Sequence, residues 1–383
     1  MTQWSRVLGA AIGLLLLSVV LSACGAAPVA QNWPGLTVAD ETVSVISGSP
    51  QQVYILDAKT GTQKATFMPQ AAPRGIFYWS PVIVGGNLAF VGFADSQSRT
   101  SGLYAFDPGT GQELWHIAAQ NLILPAPAYA DGVVYFGDSD GHVYAVDVET
   151  KSVKPGWPFQ AKEAIWASPL VAAGRVYVAA MDHHLYCLDA ETGEKLWDAE
   201  VGGAMAARPT LDASRGTLYV GAFDGQVYAI RADSGEIVPG FHFQAENWIW
   251  SEVLVAGDRL YVTSLDGKLY ALDPASGQVI PPYPFDSAQF NGNKKDPIRA
   301  APAQAGESLI IATESGRVIA VREAEGQLSG QVYWPSGIPQ ASILTTPVVS
   351  AGTICVVLAN GTVQTLNAEN GAVGWAFASP QSQ

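Results

Sequence analysis

From residue 33 onward the chain alternates short apolar runs with clusters of turn residues, and the alternation repeats. One phrase carries the period: VYILDAKTG from Val53, LYAFDPGTG from Leu103, VYAVDVETK from Val143 and LYCLDAETG from Leu185. It continues as VYAIRADSG from Val227, LYALDPASG from Leu269, VIAVREAEG from Val318 and VQTLNAENG from Val363. The starts are spaced by 50, 40, 42, 42, 42, 49 and 45 residues. That period suits a four-stranded propeller blade and is too long for leucine-rich repeats. No 3.6-residue apolar stripe supports a helical solenoid. The pattern therefore predicts an all-β, eight-bladed propeller of four-stranded antiparallel blades over residues 33–377.

Blade four shows the four strands most clearly. WASPLVA from Trp166 reads as the innermost strand A, and GRVYVAA from Gly174 as strand B. LYCLDA from Leu185 follows as C, and EKLWDAE from Glu194 as the outer strand D. Strands B and C are joined by Asp140-Gly141, Asp224-Gly225, Asp266-Gly267 or Asn360-Gly361, dipeptides that suit a type I′ hairpin. Strands C and D are joined by Asp-x-x-x-Gly, as from Asp57 to Gly61 and from Asp189 to Gly193. There the carboxylate can accept backbone N–H groups while Gly takes the left-handed closing position. The first blade begins with a strand A and the last ends with a strand D. Ring closure is therefore expected from packing of blade one on blade eight, with no exchanged strand.

Composition narrows the function classes. The 34 acidic and 20 basic residues leave a net charge of −14 with no basic stripe, which argues against nucleic acid as a partner. Charged residues are 14% and hydrophobic ones 48% of the 383 residues, which excludes disorder.

The first 23 residues read as an export signal: Arg6, an apolar run from Val7 to Val20, then Leu21-Ser22-Ala23-Cys24. These residues resemble the bacterial lipoprotein lipobox. The resemblance implies diacylglyceryl modification of Cys24, cleavage before it, a tether over residues 24–32 and attachment to a membrane outside the cytoplasm. Where the cell has an outer membrane, that is the expected location. Only Cys187 and Cys355 remain, in blades four and eight, too far apart in the expected ring for a disulfide. Residues 378–383 form a short tail.

The repeated aliphatic-Tyr-Ala-Leu-Asp strand, the Thr-Gly turn and the following Trp resemble the pyrroloquinoline quinone (PQQ) repeat. Members of that superfamily include quinoprotein dehydrogenases and cofactor-free, BamB-like propellers. The resemblance implies that Trp115, Trp197 and Trp375 dock onto the neighbouring blade. Trp157, Phe241 and Tyr283 follow Pro-containing insertions and are expected to dock less regularly. The quinoprotein dehydrogenases often carry adjacent Cys residues and a Ca²⁺ set of Glu and Asn, and neither can be placed here. No catalytic residue, cofactor or metal is assigned on this reading.

Two local motifs look like metal loops. Asp138-Ser139-Asp140-Gly141-His142 lacks the further ligands of a calcium loop and reads as a hairpin. His183-His184 reads as a solvated turn. The connections from strand D to the next strand A carry more information. Phe159 to Pro169 (FQAKEAIWASP) and Phe243 to Glu252 (FQAENWIWSE) are near duplicates rich in Trp. The longest, Asp286 to Ile298, holds Asn291, Asn293, Lys294, Lys295 and Asp296, and Met68 to Tyr78 holds Arg74, Phe77 and Tyr78. In a propeller these connections share a face with the B–C hairpins, at the mouth of the central channel. Trp and Arg are residues of binding hot spots. Trp166, Trp248, Trp250, Arg208 and Arg299 are the candidate partner-binding residues, with packing of the same Trp residues into the channel as the competing reading. The chain is expected to act as a monomeric, membrane-tethered scaffold with a protein partner on this face. A PQQ-dependent dehydrogenase and a solute- or glycan-sensing propeller are the alternatives.

Overall fold

The computed structural model describes residues 35–39, 41–47, 52–69, 76–78, 83–85, 88–95, 99–333 and 342–379, with only the backbone described at 76–78 and 83–85. Cys24, the signal segment and Arg74 lie outside these residues. Eight antiparallel sheets follow one another around a ring. Blade one is Leu36–Ala39, Thr42–Ser47, Gln52–Asp57 and Gln63–Phe67, paired in that order. Blade four is Leu170–Ala172, Arg175–Ala179, His184–Asp189 and Lys195–Glu200, and blade eight runs from Val348–Ser350 to Val373–Phe377. Strand A of blade four is only three residues long, so Trp166 belongs to the connection before it.

The apolar core is divided among the joints between blades. Eight buried clusters occupy the eight joints, and each draws on two neighbouring blades. The last one closes the ring: Val43, Val45, Tyr54 and Leu56 of blade one pack with Cys355, Val357 and Val363 of blade eight. Neither terminal blade borrows a strand from the other. Cys187 lies in the joint of blades four and five, in a different cluster from Cys355, and both are free thiols. Burial pushes the Cys187 thiol up to about 11 and that of Cys355 up to about 12, so neither is a thiolate near neutral pH.

The C–D turns are built as the sequence suggests. Asp189 accepts the N–H groups of Glu191 and Thr192 at 3.0 and 2.8 Å, and Gly193 closes the turn at φ +75°. These N–H bonds and the Thr hydroxyl hold the Asp189 carboxyl below its ordinary pKa. The B–C hairpins differ from the type I′ expectation. Only the Gly has positive φ, +83° at Gly225 and +88° at Gly267. Ala222 and Gln226 close a three-residue loop, Ala222 N–H donating to Gln226 O at 3.0 Å and Gly225 N–H to Ala222 O at 3.1 Å. This is a type I turn followed by a left-handed Gly, the usual three-residue hairpin. The carboxylate explains the choice. Asp266 must reach both the Lys268 N–H (2.9 Å) and the Tyr270 hydroxyl of strand C (2.7 Å). Asp182 does the same for His184 N–H and Tyr186. The Asp of the hairpin and the Tyr of the repeated phrase are therefore one device.

Blade four modifies that device. His183 replaces the Gly at φ +71°, and His184 is buried, stacked on Tyr186 and bonded through Nδ1 to Asp198 at 2.9 Å. His183 is thus exposed in the turn as expected, whereas His184 is not, because strand C begins there and draws it under strand D. Asp138 is fully buried as part of its hairpin, accepting from the Asp140 and His142 N–H groups and from the Tyr144 hydroxyl.

At the outer rim most blades rest on the C–D turn of the next. A Cβ on Gly235 would stand 2.6 Å from the Trp197 ring, and one on Gly61 would stand 2.4 Å from Trp375. The insertions of blades three, five and six interrupt strand D, leaving Ser152–Val153 and Phe159–Gln160 in blade three, isolated bridges in blade five, and Phe285–Asp286 in blade six. As expected, Trp157, Phe241 and Tyr283 seat less regularly on the next blade: Gly193 faces Trp157, but Gly277 faces the His242 backbone rather than Phe241, and a Cβ on Gly326 would meet nothing within 4 Å. Within their own blades they keep their place. Their ring centroids lie 5.8, 5.7 and 6.0 Å from the strand B tyrosines of their own blades, against 5.9 Å for Trp197 on Tyr177. The Pro-containing insertion makes a separate turn before the aromatic and leaves its place on its own strand B tyrosine unchanged.

Candidate functional site

Among the described residues, the D-to-A connections are latched between two hairpins. Ile165 N–H donates to Asp138 O of blade three at 3.0 Å, and Met181 N–H of blade four donates to Ala164 O at 3.0 Å. The duplicate connection repeats this, with Ile249 N–H on Ala222 O at 3.2 Å and Leu265 N–H on Trp248 O at 3.0 Å. Gln160 and Gln244 each turn their amide onto the preceding hairpin, at Asp140 O and Asp224 O. The FQA motif shared by the two segments is therefore structural.

The latch buries one apolar side chain per connection: Ile123, Ile165, Met205, Ile249, Ile298 and Ile343 are all fully buried. Sequence reasoning missed this tier, although its signal is present as an apolar residue four places before the Pro of strand A, as in AIWASP and AMAARP. The residue after it is half-buried at the mouth and changes from blade to blade: Leu124, Trp166, Ala206, Trp250, Arg299 and Leu344. A fixed tier thus carries a variable one.

The variable tier gathers three of the candidate Trp residues on one side of the mouth. Trp166 and Trp250 approach to 6.5 Å between centroids across the small Ala206 of the intervening connection. Trp250 also stacks on Phe223 at 4.7 Å, and Phe223 stacks on Trp248 at 4.9 Å. Phe223 stands on the B–C hairpin of blade five, where other blades have Ser139, Met181, Leu265, Glu314 or Ala359. The Arg299 guanidinium lies over Trp250 at 4.5 Å and donates through Nε and Nη2 to Glu314 Oε1 at 3.0 and 2.9 Å. Two charges stand where the innermost strands of blades five and six begin, Arg208 Nη1 and Glu252 Oε2, 3.8 Å apart. Both side chains keep access to water, 39% and 46% exposed, and partial desolvation raises the Glu252 carboxyl above the ordinary range against the pull of Arg208. Phe223, Glu252 and Glu314 are members of the site that residue type alone did not single out.

The long connection points elsewhere. Its 3-10 turn, Ser287–Phe290, is capped by Asp286 and lays Phe290 against Gly330 on the outer strand of blade seven. Asp296 is buried and accepts from Ser315 and Arg317, leaving Lys294 and Lys295 exposed. Phe77 and Tyr78 lie in a strand paired with Ala94 and Phe93.

Comparison with known proteins supports the ring. The family model described as outer membrane protein assembly factor BamB matches residues 49–154, 99–240 and 156–377, which together span 49–377. The chain belongs to this family. Among solved structures, BamB from Moraxella catarrhalis is similar at 17% identity and a TM-score of 0.67, covering 86% of this chain and 92% of that one. The computationally designed Ika8 protein is similar at 17% identity, 88% and 96% coverage and a TM-score of 0.70. The C-terminal WD40 domain of Sif2 is similar at 13% identity, 85% and 88% coverage and a TM-score of 0.64. At these identities the structural likeness shows the fold alone. No curated protein matches the chain.

Proposed function

We propose that the protein is a non-catalytic docking scaffold of the cell envelope, tethered by lipid on Cys24, that serves envelope protein assembly. The observation that carries this reading is the Trp166–Trp250–Phe223–Trp248 cluster with Arg299 on the variable tier of an otherwise uniform ring. Loops held by a rigid scaffold are where recognition concentrates, and half-buried Trp beside Arg is hot-spot chemistry. The family description, an outer membrane assembly factor, supports the same role. The docking face comprises Trp166, Trp248, Trp250 and Arg299, with Arg208 beneath them.

The test is purification of the native lipidated chain from its own envelope. Subunits of the barrel-assembly machinery should accompany it, and their absence from an otherwise intact preparation would contradict the assembly role. Trp166→Ala and Trp250→Ala should each weaken that association about tenfold while leaving the melting temperature near wild type. Early unfolding with unchanged association per folded molecule would make these rings packing alone. Cys24→Ser should abolish incorporation of labelled fatty acid, and retained labelling would remove the anchor.

A further inference from the structure

Three Asn-Gly pairs occur in the chain, and the fold treats them differently. Asn291-Gly292 lies in the long connection after blade six, Asn360-Gly361 in the B–C hairpin of blade eight, and Asn370-Gly371 in its C–D turn. A glycine after asparagine leaves the main-chain nitrogen unshielded by any side chain, so that nitrogen can attack the Asn amide. Two of the pairs are locked. Gly361 N–H donates to Leu358 O at 2.7 Å, and Gly371 N–H to Asn367 O at 2.9 Å. Their side-chain oxygens are held as well, Asn360 Oδ1 by the Thr362 N–H at 3.0 Å and Asn370 Oδ1 by the Ala372 N–H at 2.9 Å. Both glycines are buried: a Cβ on Gly361 would stand 2.4 Å from Ser47, and one on Gly371 would stand 2.5 Å from Tyr333.

Asn291-Gly292 differs on every count. Among the described residues, neither the Gly292 N–H nor the Asn291 amide makes a hydrogen bond. Gly292 is exposed, and a Cβ there would meet nothing within 4 Å. Asn291 stands just past the Ser287–Phe290 turn at ψ 32°, and ring closure must swing the peptide unit that follows it. The bond that resists is Lys294 N–H on Asn291 O, which at 3.2 Å is at the long end of the usual range.

We propose that Asn291 is a site of spontaneous, enzyme-free deamidation. The Gly292 nitrogen gives its proton to solvent hydroxide and attacks Asn291 Cγ. A C–N bond forms, the Cγ–Nδ2 bond breaks, and Nδ2 leaves as ammonia. Water then opens the cyclic imide at either carbonyl, leaving aspartate or an isoaspartate whose main chain is longer by a methylene. The net reaction consumes water and releases ammonia, with no oxidant or cofactor. It sets a carboxylate beside Lys294 and Lys295, the exposed basic pair of this connection.

Peptide mapping by mass spectrometry tests this on the purified full-length mature chain, incubated in mildly alkaline buffer. Conversion of amide to carboxylate should accumulate at Asn291 about tenfold or more faster than at Asn360 or Asn370, because the locked pairs must first open a hydrogen-bonded, packed turn. In urea strong enough to unfold the chain, the three rates should converge. Gly292→Ala should slow conversion at Asn291 in the folded protein. Equal rates at the three sites in the folded chain overturn the proposal, as does an Asn291 that stays intact while the unfolded chain reacts. An Asn291 advantage that persists undiminished in urea would belong to the neighbouring sequence and would also overturn it. The decisive comparison uses the unaltered protein, so a variant that fails to fold does not blunt it. No partner is involved, so either result leaves the docking reading standing.

Discussion

At the outer rim the joints between blades three and four, four and five, seven and eight, and eight and one each combine one carbonyl, one glycine and one aromatic ring. At the mouth the same repeat presents Leu, Trp, Ala, Trp, Arg and Leu in turn. The rim keeps its chemistry even where its residues change. In the three joints that follow blades three, four and five, a strand B tyrosine donates its hydroxyl to the carbonyl after the turn: Tyr135 to Ala190, Tyr177 to Ala232, and Tyr219 to Pro274 at 2.8 Å. In blades seven and eight, where strand B has no such hydroxyl, strand D or the residue after it supplies the donor. Blade seven has Ile310 there, and Tyr333 donates to Ala368 and Glu369; blade eight has Cys355 there, and Trp375 Nε1 donates to Ala58 at 3.0 Å. The Nε1 atoms of Trp157 and Trp197 are buried without a partner among the described residues, because Tyr135 and Tyr177 already occupy the carbonyls beside them. At these five joints the rim is thus constrained by one donor requirement each. The mouth is constrained only in its buried tier, and its outer tier is open to specialisation.

Alkaline pH should break the rim most strongly. Burial pushes the rim tyrosines Tyr135 and Tyr219 up to about 12, and both are at most 3% exposed. The unfolded chain releases these protons near pH 10 while the folded one holds them, so stability is full below about pH 10 and falls as pH rises towards 12. At pH 11 each such tyrosine withdraws about 1.4 kcal/mol. Melting temperatures followed by circular dichroism from pH 8 upward check this. A flat profile to pH 11 would mean that the rim hydroxyls are not sequestered.

Next in size is Gly111→Ala. Gly111 sits at φ +72°, and an added Cβ would stand 2.3 Å from Thr66 O of blade one, a backbone atom that cannot step aside. A loss of about 3 kcal/mol or more in urea unfolding is expected from strain and the opened joint. A loss below about 1 kcal/mol would show that the rim yields as readily as the mouth.

The smallest effect sharpens the donor rule. Trp375→Phe leaves the Ala58 carbonyl without its N–H and should cost about 1 kcal/mol more than Trp197→Phe, whose N–H has no partner to lose. Chemical denaturation of the two variants side by side measures the difference. Equal costs would reduce both positions to ring packing.

Much of this was legible in the chain because propeller blades are local objects. Strand periodicity, the Asp-x-x-x-Gly turn and the eightfold phrase involve residues within about one repeat of each other, and backbone geometry ties such patterns to one structure. The ring count followed from them, and with it the separation of Cys187 from Cys355. Other features join residues that sequence distance hides. The Tyr-to-carbonyl bonds span 55 residues, and the Trp375–Ala58 bond spans 317. Asp266 was readable as a turn residue, but its second role, accepting from Tyr270, appeared only when hairpin and strand were placed together. At the mouth, residue type picked out Trp166, Trp248, Trp250, Arg208 and Arg299. Their partners Phe223, Glu314 and Glu252 lie on hairpins and connections 15 to 44 residues away, and only the packing of neighbouring elements brings them within reach. Local periodicity thus determined which elements form and in what order, because turn chemistry and the strand period act between near neighbours. Tertiary packing alone decided which polar group completes each joint and which charges stand open at the mouth, because those choices depend on distances that exist only after the blades have met.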